Sequence, residues 1–229
     1  MLKSFKFHFV RTVIVIALRL LTSTRLYNLD NINQAEGGKA IVAANHLGML
    51  DAAYAFRMVN RKDLIMVVAE KYKKYGFFRW LVKTLNLLWL ERFEADFGTL
   101  KETLRRLDRG GILFIAPEGT RSKTEALQHA KPGVAYLASK SGAPVIPVAL
   151  WGTEDRVVGM NLKRFKRSKI VLNVGKPFIV PPLPREDRAE FLQAQTDEIM
   201  AQIAALLPEK YRGVYADSPR VAVLLKENN

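Results

Sequence analysis

Asn45-His46-Leu47-Gly48-Met49-Leu50-Asp51 sets an imidazole and a carboxylate five residues apart, directly after an apolar run at 40–44. On a continuous helix that spacing leaves the two side chains about 140° apart, and on a continuous strand it puts them on opposite faces. They meet only where the chain turns between them, and Gly48 is suited to such a turn. With His46 at a strand's carboxyl end and Asp51 in the first turn of the next helix, the carboxylate accepts the ring N–H and fixes the tautomer. The other ring nitrogen is then free to take a proton from a hydroxyl. The same pattern also suits a loop histidine followed by a helix-capping aspartate, so the pair alone does not define a catalytic site.

A second polar group, Pro117-Glu118-Gly119-Thr120-Arg121-Ser122, follows the apolar run at 112–116. Arg121 offers a planar fork of donors matched to a phosphate, Thr120 and Ser122 add hydroxyls, and Gly119 lets the backbone approach a ligand. A polar turn in which Glu118 pairs with Arg121 is the plainer reading of the same residues. Lys131, ahead of Pro132 and Gly133 at a helix start, and Arg92, after the run at 87–90, are two further cations for the same anion.

These groups need a scaffold that sets them at strand ends. Apolar runs of strand length at 40–44, 64–69, 87–90, 112–116, 145–150 and 170–174 alternate with amphipathic stretches at 52–60, 76–85, 97–109, 132–140 and 185–206. That alternation predicts an α/β fold, a mixed and mainly parallel sheet flanked by helices. Such sheets bind ligands beyond their strands' carboxyl ends.

The chain of 229 residues is long enough for one sizeable core and has no cysteine, which excludes disulfides, thiolate metal sites and a cysteine nucleophile. The histidines, His8, His46 and His129, lack the spacing of a metal-ligand set. A formal charge of +14 calls for a polyanionic partner, nucleic acid or an anionic membrane. The N-terminus favours the membrane. Phe5, Phe7, Phe9, Val10, Val13, Ile14, Val15, Ile16, Leu18, Leu20 and Leu21 are mixed there with Lys3, Lys6, Arg11 and Arg19. The uncharged run 12–18 is far short of the ~20 residues that span a bilayer. The segment therefore reads as a helix lying in the interface, with a signal peptide or an ordinary buried helix as rivals. A second basic run, Lys163-Arg164-Phe165-Lys166-Arg167-Ser168-Lys169, suits anionic headgroups or an acidic carrier protein, or is a solvated loop.

The order Asn45-His46 with Asp51, then Glu118-Gly119-Thr120-Arg121-Ser122, then Val145-Ile146-Pro147-Val148-Ala149 resembles the 1-acylglycerol-phosphate acyltransferases, the PlsC-like lysophospholipid acyltransferase family, over residues 35–180. The resemblance implies a fatty acyl transfer from acyl-CoA or acyl-carrier protein to the free hydroxyl of 1-acylglycerol 3-phosphate, giving phosphatidic acid; the same transfer to glycerol 3-phosphate or another lysophospholipid is the near rival, and a non-catalytic basic lipid- or RNA-binding protein is the rival of another class. The resemblance makes His46 the general base and Asp51 its orienting partner, with Glu118, Gly119, Thr120 and Arg121 around the acceptor's phosphate and Lys131 nearby. Arg92 resembles the basic residue ending another family block, although Asn86 stands where a glycine is usual. Pro147 resembles a shaping proline. With no cysteine and no Gly-x-Ser-x-Gly elbow, the acyl group passes directly from thioester to acceptor.

No cofactor and no nucleic-acid partner are expected. The resulting organisation is a membrane-associating helical segment at 1–30 and an acyltransferase domain at 31–229, on the cytoplasmic face of the cell membrane as a monotopic or peripheral protein.

Overall fold

The computed structural model describes residues 2–33, 38–91 and 96–227. Seven strands form one sheet: β1 (Thr22–Tyr27), β2 (Ala40–Ala44), β3 (Leu64–Ala69), β4 (Leu88–Leu90), β5 (Ile112–Ile115), β6 (Val145–Trp151) and β7 (Ser168–Val174), in the order β1-β7-β6-β2-β5-β3-β4. Neighbours from β6 to β4 run parallel, β6 and β7 are antiparallel, and β1 lies parallel to β7. This is the mixed, mainly parallel α/β sheet that the alternating runs predict.

Helices cover both faces. Against one lie α1 (Leu2–Leu21), α3 (Leu50–Met58) and α4 (Gly76–Leu85); α2 (Asp30–Asn33) is a single turn. Against the other lie α5 (Phe97–Asp108), α6 (Gly133–Ser141), α8 (Arg188–Leu206) and α9 (Pro219–Glu227), while α7 (Asp155–Lys163) links β6 to β7. Strand β2 shows why its sequence is apolar throughout: Ala40, Val42 and Ala44 pack into one layer and Ile41 and Ala43 into the other, and all five are buried. Pro147 sits within the central strand β6, where its carbonyl accepts from Gly175 N at 2.8 Å. Its ring nitrogen therefore meets the end of the β7 ladder, so the missing donor leaves the ladder to β2 intact.

From β2 the chain passes through α3 and α4 on one face to reach β3 and β4. It returns through α5 and α6 on the other face to β5 and β6. The loops after β2, β3, β5 and β6 consequently open on one edge of the sheet, around the point where the winding reverses.

Strand β1 and helix α7 are additions to the elements legible in the sequence. Thr22–Tyr27 is polar and lies at the sheet's edge; Thr22 is buried, and the Tyr54 hydroxyl of α3 bonds the hydroxyls of Thr22 at 2.9 Å and Thr24 at 2.7 Å. Thr22 also donates to Leu18 O at 2.6 Å, so α1, β1 and α3 share one polar knot inside an apolar layer. Arg167, from the basic run after α7, donates to the carbonyls of Arg19 and Thr22, closing the carboxyl end of α1. The C-terminal segment packs too, burying Tyr211, Tyr215, Val221 and Leu224. Among the described residues no helix is long and apolar enough to cross a membrane.

Tyr54→Phe keeps the packing and removes the hydroxyl at the knot. It should lower stability by about 1 kcal/mol, read as a shifted urea midpoint at unchanged slope.

Candidate active site

Strand β2 ends at Ala44, and the next residue extends its ladder with a side chain. Buried Asn45 donates from Nδ2 to Leu150 O at 2.8 Å and accepts from Leu150 N at 2.7 Å, so its amide stands in for a backbone unit against β6. The backbone is thereby free to turn at His46. Three donors then converge on one oxygen of Asp51: His46 Nδ1 at 2.8 Å, Leu47 N at 2.7 Å and Gly48 N at 2.9 Å. Asp51 lies in the first turn of α3 and is buried, where the helix's N-terminal dipole favours its negative charge. The turn therefore brings the two side chains together as the spacing requires.

Gly48 is needed for space rather than for a left-handed backbone. A Cβ there would stand 1.8 Å from the carbonyl oxygen of Thr153, in the loop after β6. The start of α7 meets the His46 turn as well, through Asp155, whose Oδ1 accepts from Met49 N at 2.8 Å.

Glu118, after β5, is buried and faces inward. Its Oε1 accepts from His46 N at 2.9 Å, and its Oε2 accepts from Gln128 N at 3.1 Å. Burial raises its pKa above the ordinary carboxylate value, against the downward pull of the two backbone N–H donors. In the same loop Ser122 N donates to His46 O at 2.8 Å, so both backbone groups of His46 are held by the segment after β5. Gly119 has φ +68°, a conformation suited to glycine, and a Cβ there would touch the Lys131 side chain at 3.4 Å. Arg121 pairs with Asp155 rather than Glu118, and its other terminal nitrogen donates to Tyr72 Oη at 3.4 Å.

His46 and Asp51 line a cavity of about 390 Å³ that runs between the sheet edge and the helices α5 and α6. Its walls are chiefly apolar, with Val67, Leu100, Leu113, Val134 and Leu137 among them, and Gly119 and Lys131 also border it. A hydrogen-bonded histidine–aspartate pair thus borders a space of ordinary ligand-pocket size with chiefly apolar walls.

A family model described as Acyltransferase matches residues 23–151, from β1 through β6. The chain belongs to the acyltransferase family. Relatives include the 1-acyl-sn-glycerol-3-phosphate acyltransferases of Salmonella typhimurium, 27% identical over 76% of this chain and 67% of that protein, and of Haemophilus influenzae, 25% identical over 78% and 73%. The Escherichia coli enzyme of the same name is 26% identical over 76% of this chain and 67% of its own. The crystal structure of the 1-acyl-sn-glycerophosphate (LPA) acyltransferase PlsC from Thermotoga maritima superposes with a TM-score of 0.64. It covers 86% of this chain and 80% of that one, at 22% identity, and so shares the fold.

In this acyltransferase the sequence-predicted residues fall into three groups. His46, Asp51, Gly119 and Lys131 border one cavity. Glu118 supports the His46 backbone from behind, while Arg121 and exposed Thr120 belong to the adjoining rim. Arg92 lies outside the described residues. Asp155, Asn45, Tyr72 and Gln128 are additions whose partners are distant in sequence; Asn45 stands out in the sequence only as the neighbour of His46, and nothing local marks the other three.

Asp155→Ala removes the acceptor shared by Met49 N and Arg121. Because that pairing is part-exposed, stability should change by less than about 1 kcal/mol, whereas acyl transfer should fall at least about tenfold as the His46 turn and Arg121 lose their common tie. Urea denaturation and initial rates measured on the same preparation check both.

Proposed function

We propose that this acyltransferase moves a fatty acyl group from acyl-CoA or acyl-carrier protein to the free hydroxyl of 1-acylglycerol 3-phosphate, with His46 as general base oriented by Asp51. The observation that carries the reading is the 2.8 Å contact of His46 Nδ1 with Asp51 at the end of the apolar cavity. With Nδ1 committed to the carboxylate, Nε2 is the basic nitrogen. It takes the proton of the acceptor hydroxyl as that oxygen attacks the thioester carbonyl. The tetrahedral intermediate then collapses, the C–S bond breaks, and the imidazolium returns its proton to the leaving sulfur. Asp51 remains ionised throughout and stabilises the imidazolium. The thioester brings its own activation, so the step calls for no metal and no resident cofactor.

Arg121, with Lys131 across the Gly119 bend, supplies the positive charge for the acceptor's phosphate. In the free enzyme Arg121 is neutralised by Asp155, and a phosphate with two negative charges competes for the same guanidinium. Glu118 serves by holding His46 N, a supporting role that its burial favours over direct contact with a ligand. The cavity takes an acyl chain. The names of the relatives support this acceptor.

The lipid acceptor also gives a reason for the surface of α1. Phe5, Phe9, Val13, Ile16 and Leu20 recur at helical spacing and are exposed, whereas Phe7, Val10 and Leu18 are buried in the core layer shared with α3 and α4. This outward stripe is suited to rest in the interface of an anionic membrane, on its cytoplasmic face, with α1 remaining packed on α3 and α4.

Thiol release from a long-chain acyl-CoA, with lysophosphatidic acid, glycerol 3-phosphate or another lysophospholipid as acceptor, tests the reading. Release should depend on lysophosphatidic acid and fall about 10²- to 10⁴-fold in His46→Ala. Arg121→Ala should raise the acceptor KM at least about tenfold and leave the donor KM little changed. Equal turnover by wild type and His46→Ala would remove the base, and release with glycerol 3-phosphate alone would reassign the acceptor.

A further inference from the structure

Helix α4 carries an aromatic surface that neither the core nor the site uses. Val82 and Leu85 turn inward, but Phe77 and Trp80 stand exposed one turn apart, with ring centroids 6.1 Å from each other, and Tyr75 beside them is exposed too. The aromatic cluster continues inward, from Phe77 to Phe78 at 5.6 Å and from Phe78 to Tyr72 at 4.8 Å. Around it are Lys71, Lys73, Lys74, Arg79 and Lys83, against the single acid Glu70 between residues 70 and 85. Lys71 and Lys74 lie over the rings of Tyr72 and Tyr75. Exposed aromatics ringed by cations are costly in water and suited to a boundary that is apolar below and anionic above.

Two features fix where this surface points. Helix α4 packs against α1, and the buried residues of both join the core layer on one face of the sheet, so the α4 aromatics lie on the element next to the exposed stripe of α1. The inner end of the cluster reaches the site, because Tyr72 accepts from Arg121.

We propose that residues 71–83, with Phe77 and Trp80 at the centre, form a second membrane contact that docks on an anionic bilayer beside the active site. The inference rests on the reading of the acceptor as a membrane lipid. The segment then sets the rim that holds Arg121 at the level of the lipid headgroups, where a phosphate already resides. Trp80 lies at the interface, the place an indole favours, and the surrounding cations meet anionic headgroups.

The full chain and a Phe77→Ser/Trp80→Ser variant are compared by co-sedimentation with phosphatidylcholine vesicles that contain or lack phosphatidylglycerol. Neither residue belongs to the catalytic or binding machinery, and turnover of a water-soluble short-chain acceptor in the absence of vesicles is read alongside. The variant should bind anionic vesicles at least about tenfold more weakly and turn over the soluble acceptor like wild type. In the otherwise unaltered chain, anionic vesicles should blue-shift the tryptophan emission, and Trp80→Phe should abolish the shift. Wild-type sedimentation by the double variant, or an emission shift that survives Trp80→Phe, overturns the proposal. So does a patch that answers to an acidic acyl-carrier protein and not to vesicles. Binding and turnover are separate readouts, so a wrong acceptor appears as lost turnover in the wild type while the binding result stands.

Discussion

One oxygen of Asp51 accepts hydrogen bonds from the His46 ring and from the backbone N–H groups of Leu47 and Gly48. A turn made by three consecutive residues and the direction of the His46 imidazole are therefore set by the same atom. Asp51 is buried at the start of α3, and all three of its hydrogen bonds fall on that one oxygen. The rest of the sheet edge keeps that contact in place. Asn45 secures the end of β2 against β6, while Glu118 and the Ser122 amide grip the two backbone groups of His46 from the β5 side. The carbonyl of Thr153 closes on Gly48 from the β6 side.

The fold supplies this convergence through its winding. Helices on one face carry the chain outward to β4 and helices on the other bring it back, so the loops after β2, β5 and β6 become neighbours although they are separated by many residues. Apolar walls between the sheet and α5 and α6 then extend the site away from His46. Polar chemistry at a strand end and a hydrocarbon-lined space beside it are what an acyl transfer to a lipid requires. The two exposed apolar helix surfaces, on α1 and α4, belong to the same logic under the proposed lipid acceptor.

Much of this is legible in the residues. The apolar runs mark the core strands because both faces of a buried parallel strand must be apolar, and His46 and Asp51 can meet only across a turn that the structure contains. Strand β1 escapes such a reading because Thr22-Ser23-Thr24-Arg25-Leu26-Tyr27 is an edge strand whose buried positions include a threonine stabilised by Tyr54, a partner far along the chain. Gly48 reads as a flexible turn residue, whereas its requirement is the approach of Thr153. Glu118 and Arg121 look like natural partners at a spacing of three, but burial turns the first inward to His46, and Asp155 claims the second. In each case the deciding contact joins segments far apart in the chain, so local sequence holds no sign of it.

The proposed chemistry requires that Asp51 hold His46 with Nδ1 protonated and Nε2 free as the base. Side-chain ¹⁵N NMR of the three histidines, His8, His46 and His129, tests it directly. In its neutral form the His46 ring should carry its proton on Nδ1 and leave Nε2 free, and this signature should be lost in a folded Asp51→Ala variant, which has no acceptor at that place. A neutral His46 that carries its proton on Nε2 in the wild type, or a tautomer indifferent to Asp51→Ala, would contradict this.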